Sequence, residues 1–149
     1  FSDDIMSVRE YIYVLSGYQL TANKPSDLRG KIVNILRGYS YPVFDQEFKH
    51  NRVNYQELDS EESLIKTLVL HRADAIFMDS VAFHYTISKL DYDKGNFTRG
   101  MQLSHAPLGI KIRTEKSYIL PRFNKAITAM KSEGIINKII NKYTKHLDI

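Results

Sequence analysis

Cysteine is absent from all 149 residues. That excludes a disulfide framework and a thiolate metal site, and leaves periplasm and cytosol equally compatible with the composition. Long apolar runs are also absent. None approaches the roughly 20 residues that cross a bilayer, and the opening Phe1-Ser2-Asp3-Asp4 is acidic where a secretory signal is basic. The start at Phe1 leads us to expect a processed or recombinantly delimited product from which any targeting segment has been removed. There is no G-x-x-x-x-G-K-[ST] phosphate loop, no G-x-G-x-x-G and no H-E-x-x-H. The five histidines, His50, His71, His84, His105 and His146, show no short-range ligand spacing. Neither a metal nor a cofactor is therefore expected.

What is present suits one ordinary core: 43% of residues are hydrophobic and 26% charged, too balanced for disorder. The net charge of +4 invites a nucleic-acid reading, but its placement argues otherwise. Residues 111–149 hold nine Lys or Arg against Glu115, Glu133 and Asp148, whereas residues 1–110 hold 12 basic groups against 14 acidic ones. The surplus belongs to C-terminal helices and reads as a solvated helix face, not a nucleic-acid footprint.

Along the chain, strands and helices alternate. Glu10 to Leu15 is rich in β-branched and aromatic residues and predicts a strand ending at Ser16-Gly17. Pro25 to Gly30 predicts one helical turn closed by glycine. Arg52 to Gln56 alternates as a half-buried strand does, and Ser60 caps a helix whose buried stripe is Leu64, Ile65, Leu68 and Val69. Asp74 to Met78 predicts a third strand, followed by Asp79 as the cap of a helix carrying Val81, Phe83, Tyr85 and Ile87. A polar loop over 91–98 precedes strands at 101–103 and 108–112, separated by Ser104-His105-Ala106-Pro107. Two C-terminal helices follow, with Leu120, Phe123, Ile127 and Met130 on the first and Ile135, Ile136, Ile139, Ile140 and Tyr143 on the second, broken at Glu133-Gly134.

The stretch from Lys31 to Pro42 carries the chemistry. An apolar strand stops at Gly38, and Ser40 opens a short amphipathic helix running to about Lys49. Such a junction aims free N–H groups and the positive end of the helix dipole past the strand's carboxyl end, where open α/β sheets bind ligands. Gly38-Tyr39-Ser40-Tyr41-Pro42 also approaches a hydrolase nucleophile elbow, with Asp79 and His105 later in the required order. Pro42 stands where that motif needs its second glycine.

Five segments in order resemble the type II periplasmic solute-binding proteins, specifically the family 3 extracellular receptors that serve polar amino-acid ABC importers. Phe1-Ser2-Asp3 is similar to the family's "F-S-D" segment before its first hinge, and Asp27 to Val33 to "D-L-[KR]-G-K-x-V". Arg72 to Asp79 is similar to "G-[RK]-x-D-A-x-x-x-D", Leu108 to Arg113 to "G-x-A-[VL]-R-K", and Lys131 to Ile139 to "K-x-D-G-x-x-x-K-I". The resemblance implies an α/β fold with a central mixed sheet flanked by helices. It implies the end of a first lobe and a hinge over 1–9, a second lobe over 10–104, and a second hinge with a return to the first lobe over 105–149. Most of that first lobe, with the family's carboxylate-clamping arginine, would fall before Phe1.

The same resemblance implies a noncatalytic, periplasmic protein that binds a small polar solute, an amino acid or similar, and delivers it to an ABC permease. A ligand-sensing domain of a membrane signalling protein is the alternative, and a serine hydrolase fragment a further one. The family's "G-[TS]-[TS]" turn corresponds to Gly38, Tyr39 and Ser40, and its ammonium-pairing aspartate to Asp79. Ser40 and Asp79 each have a plain helix-cap reading beside the ligand one, and Tyr39 and Tyr41 read equally as packing rings. The stripes over 117–143 lead us to expect a homodimer or exchanged segments where the first lobe is incomplete.

Overall fold

The computed structural model describes residues 1–144. Five strands form one mixed sheet: β1 (Met6–Leu15), β2 (Ile32–Leu36), β3 (Asn54–Leu58), β4 (Ala75–Asp79) and β5 (Phe97–Leu108), in the order β3-β2-β4-β1-β5. β2 runs parallel to both β3 and β4, and β1 runs antiparallel to β4, with Glu10 opposite Asp79 and Tyr13 opposite Ile76. The helices are α1 (Asp45–Lys49), α2 (Glu61–Val69), α3 (Ser80–Lys89), α4 (Leu120–Ser132) and α5 (Ile135–Thr144). By contacts the chain divides into two compact units, Arg9–Ser104 and the pair of segments Phe1–Val8 and His105–Ile149. β1 and β5 each run through the boundary.

In the unit over Arg9–Ser104, the central strands are covered on both faces, which explains why β4 is an apolar run from Ala75 to Met78 and β2 is apolar but for the buried Asn34. On one face Ile12, Val14, Val33, Ile35, Ala75 and Phe77 pack with Tyr41 and Phe44 from the segment leading into α1. On the other, Tyr13, Ile76 and Met78 meet Leu64, Ile65 and Leu68 of α2 and Phe83 and Ile87 of α3. The period of two along each strand sorts neighbouring side chains to opposite faces. Ser60 caps α2 by accepting from Ser63 N (3.2 Å), and Asp79 caps α3 by accepting from Ala82 N (2.9 Å). Glu47 is buried and is answered on this unit by a two-pronged bond from Arg29 (2.6 and 2.8 Å), with Arg52 at 3.6 Å.

Three expectations are corrected. Ser40 does not open a helix: Pro42 to Phe44 form a 3-10 turn and α1 begins at Asp45. Pro42 forbids the helical region to the residue before it, and Tyr41 accordingly sits at φ −131° and ψ 82° with its ring buried. The two strands expected at 101–103 and 108–112 are one strand, β5, that takes in His105, Ala106 and Pro107 and ends at Leu108. β5 is at the sheet's edge, where a proline's missing N–H removes no ladder bond. β3, the other edge, is exposed from Asn54 to Glu57, so its alternation does not mark a half-buried strand.

The second unit joins the N-terminal residues to the C-terminal helices. Ser2 N donates to Ile110 O (3.0 Å), Ile5 N to Leu108 O (2.7 Å) and Asp3 N to Asn124 Oδ1 (2.9 Å), and Lys131 pairs with Asp4 (3.1 Å). Gly134, at φ +69°, makes the left-handed break between α4 and α5 that a residue with a Cβ resists. Ile127 and Ile136 are buried, while Tyr118, Phe123, Ile139 and Tyr143 stand exposed. No helix among the described residues is long and apolar enough to cross a membrane. His146 lies outside the described residues.

Candidate ligand site at the strand ends

Within the unit over Arg9–Ser104, β2 and β4 run parallel and end side by side, and the residues after them share one end of the sheet. After β2, Gly38 takes φ +83°, a conformation glycine adopts without cost, and turns the chain so that Tyr39 N donates back to Leu36 O (3.3 Å). That N–H is consumed inside the turn. Ser40 is exposed and bonds to no protein group, so its N–H and hydroxyl remain available. The left-handed residue is Gly38 and not Ser40, and no helix begins directly after Ser40. The strained nucleophile geometry of a hydrolase elbow is thus missing.

Asp79 ends β4 and is half-buried. Its Oδ1 is the cap of α3, so the plain cap reading holds, yet the residue is also one of two carboxylates at this end of the sheet. Burial pushes the Asp79 carboxyl above its ordinary range, against the lowering effect of the Ala82 and Val81 N–H groups. The second carboxylate is Glu10, its register partner on β1. Glu10 accepts a short bond from Ser104 Oγ (2.5 Å) and a long one from Tyr41 OH (3.4 Å). Burial, then the charge and bond of Glu10, raise the Tyr41 hydroxyl well beyond the usual phenol range. Tyr39, 52% exposed, has its hydroxyl raised by burial and then by Asp79 and Glu10. Its phenol therefore lies within the field of both carboxylates.

A cavity of about 520 Å³ opens on the α1 side of the turn, lined in part by Tyr39, Ser40, Phe48 and Tyr55, with Asp45, Glu57 and Lys49 as its charged groups. Together these groups offer hydroxyl and amide donors on the turn, carboxylates and an ammonium around it and aromatic faces beside it, a set able to hold a small polar molecule. Among the described residues no group of three or more His, Asp or Glu is placed to hold a metal ion.

Of the sequence-predicted residues, Gly38, Tyr39, Ser40 and Asp79 all come to this end of the sheet. Glu10 and Ser104 were not anticipated. Glu10 was legible in principle, since it keeps the period-two phase of the buried Ile12 and Val14 and so projects from the same sheet face.

The chain matches no family profile. It is 32% identical over 124 residues, 79% of its length, to the L-arginine-binding protein of Pseudomonas aeruginosa, of which it covers 48%. It is 26% identical over 121 residues to the ABC transporter arginine-binding protein 1 of Escherichia coli, again over 79% of its length and 49% of the relative. A solved structure of an ancestral arginine-binding protein bound to arginine superimposes with a TM-score of 0.77 at 25% identity, covering 96% of this chain and 63% of that one. The fold is that of the type II periplasmic solute-binding proteins. The chain spans about half the length of the curated relatives it matches. In this solute-binding fold, β2 and β4 supply the ends at which the candidate site lies, and both curated relatives are named as binding proteins.

Proposed function

We propose that the chain contributes the second lobe, over 10–104, and a returning first-lobe segment, over 105–149, of a noncatalytic periplasmic receptor. The receptor binds an amino acid or a similar small polar solute and delivers it to an ABC permease. The observation that carries this reading is Asp79, a half-buried carboxylate at the end of β4, on the same sheet end as the Gly38-Tyr39-Ser40 turn. One group suits an ammonium and the other a carboxylate, so the pair supports a zwitterion as ligand. The arginine-binding names of the relatives support the same solute class.

The test is a titration of the ¹⁵N-labelled chain with the protein amino acids at millimolar concentration, followed by amide shifts. Shifts confined to residues 38–41 and 79–82 are the expected result. No saturable shift with any amino acid refutes the reading.

A further inference from the structure

Helix α1 is five residues long and too short to cover the sheet as far as its edge, so β3 is exposed from Asn54 to Glu57. The cavity of about 520 Å³ lies in the resulting gap, lined by α1, β3 and the turn after β2, and its volume is that of a small-molecule pocket. Aromatic rings wall it. Phe48 of α1 packs on Tyr55 of β3 with centroids 4.4 Å apart, and Tyr39 is the ring on the turn. Tyr39 is 52% exposed and Tyr55 47%, so both keep apolar faces in water that a further ring would cover. Of the charged groups, Glu57 already faces Arg37 at 3.7 Å. Asp45 and Lys49 stand four positions apart on α1, the spacing that closes Glu62 and Lys66 of α2 into a 3.7 Å ion pair. On α1 the pair does not close, and among the described residues neither side chain is bonded to another group.

One free ammonium and one free carboxylate leave the cavity with no net charge to offer, since Arg37 answers Glu57. A charged side chain of either sign gains at one of Asp45 and Lys49 what it loses at the other, and gives up hydration besides. An uncharged ring gains from the aromatic wall without that cost. Tyr39 joins the cavity to the candidate solute site: its ring lines the one, and its hydroxyl lies in the field of Asp79 in the other. We propose that the cavity is the side-chain subsite of the solute site and takes an uncharged aromatic ring, so that the chain binds aromatic amino acids. Tyr39, Phe48 and Tyr55 are its specificity-determining residues. This rests on the reading of Asp79 and the 38–41 turn as the place of the solute's main chain. Both curated relatives are named for arginine, which is therefore the opposing arm of the test.

The test titrates the ¹⁵N-labelled chain and its Tyr55→Ala and Tyr55→Phe variants with phenylalanine, tryptophan, arginine and alanine, followed by amide shifts. Every amino acid that binds should shift residues 38–41 and 79–82. Phenylalanine and tryptophan alone should add shifts at Phe48, Lys49 and Tyr55, and should bind about tenfold tighter than alanine. Tyr55→Ala should lose about fivefold in affinity for the two aromatic solutes and less than about twofold for alanine, and Tyr55→Phe, which keeps the ring, should regain most of the loss. Arginine binding as tightly as phenylalanine, aromatic solutes binding no tighter than alanine, or equal losses for all solutes in Tyr55→Ala overturn the proposal and leave the solute-site reading standing. No binding of any solute overturns both.

Discussion

Asp79 has two roles that one pair of substitutions separates. As the cap of α3 it accepts from Ala82 N at 2.9 Å, and as a carboxylate at the strand end it offers charge to a ligand. Asp79→Ala removes both. Loss of an N-cap costs about 1 kcal/mol, which in a chain of this length lowers the melting temperature by roughly 2–4 °C. Asp79→Asn keeps the cap, since asparagine ranks with aspartate there. It gives up a helix-dipole interaction of about 0.3–1 kcal/mol and is relieved of the cost of burying a charge, so its net stability change should be near zero. The pH dependence fixes the sign. Burial raises the folded-state pKa of Asp79, so its ionisation opposes folding. The stability it contributes is present below its unfolded pKa and is lost as pH rises through the folded value. Asp79→Asn should therefore gain on wild type as pH rises from the carboxylate range to neutrality. Ligand binding should fall in both variants by about 1.5–3 kcal/mol, the worth of a hydrogen bond to a charged group. Melting curves by circular dichroism and amide-shift titrations measure the two effects. Equal destabilisation by both substitutions, or undiminished binding in Asp79→Asn, would refute the reasoning.

Gly100→Ala should destabilise by about 1–3 kcal/mol, because the new Cβ would lie 2.5 Å from Ala22 O and 2.8 Å from Ala22 Cβ while Met101 N–H holds that carbonyl at 2.7 Å. A lower urea midpoint with unchanged slope checks it, and an unshifted midpoint contradicts it. Arg29 holds the Glu47 carboxyl below its ordinary range, so the stability Glu47 contributes is present at neutral pH and is lost as pH falls through its folded-state value. Glu47→Gln should flatten the acid limb of the urea midpoint against pH, and a limb of unaltered steepness would count against that assignment.

Much of the architecture was legible because it follows from local chemistry. The runs Ile32–Leu36 and Ala75–Met78 announce strands buried on both faces, and Ser60 and Asp79 announce the helices they cap. The errors fall where a local rule met a non-local one. Gly38 and Ser40 suggest a strand-to-helix junction, but Pro42 keeps Tyr41, whose ring is buried, out of the helical region, and α1 begins only at Asp45. Pro107 reads as a break, and only the edge position of β5 makes it acceptable inside a strand.

By itself the sequence determined the elements, their caps and the presence of an aspartate after an apolar strand, since these depend on residues a few positions apart. The tertiary structure decided that Glu10 stands opposite Asp79 and that Ser104, 94 positions from Glu10 in the chain, holds its carboxylate. Strand register is set by the packing of whole faces against one another, which no short stretch contains. A turn of generic polarity thereby gains the Asp79 and Glu10 carboxylates near it, both acting on the Tyr39 hydroxyl.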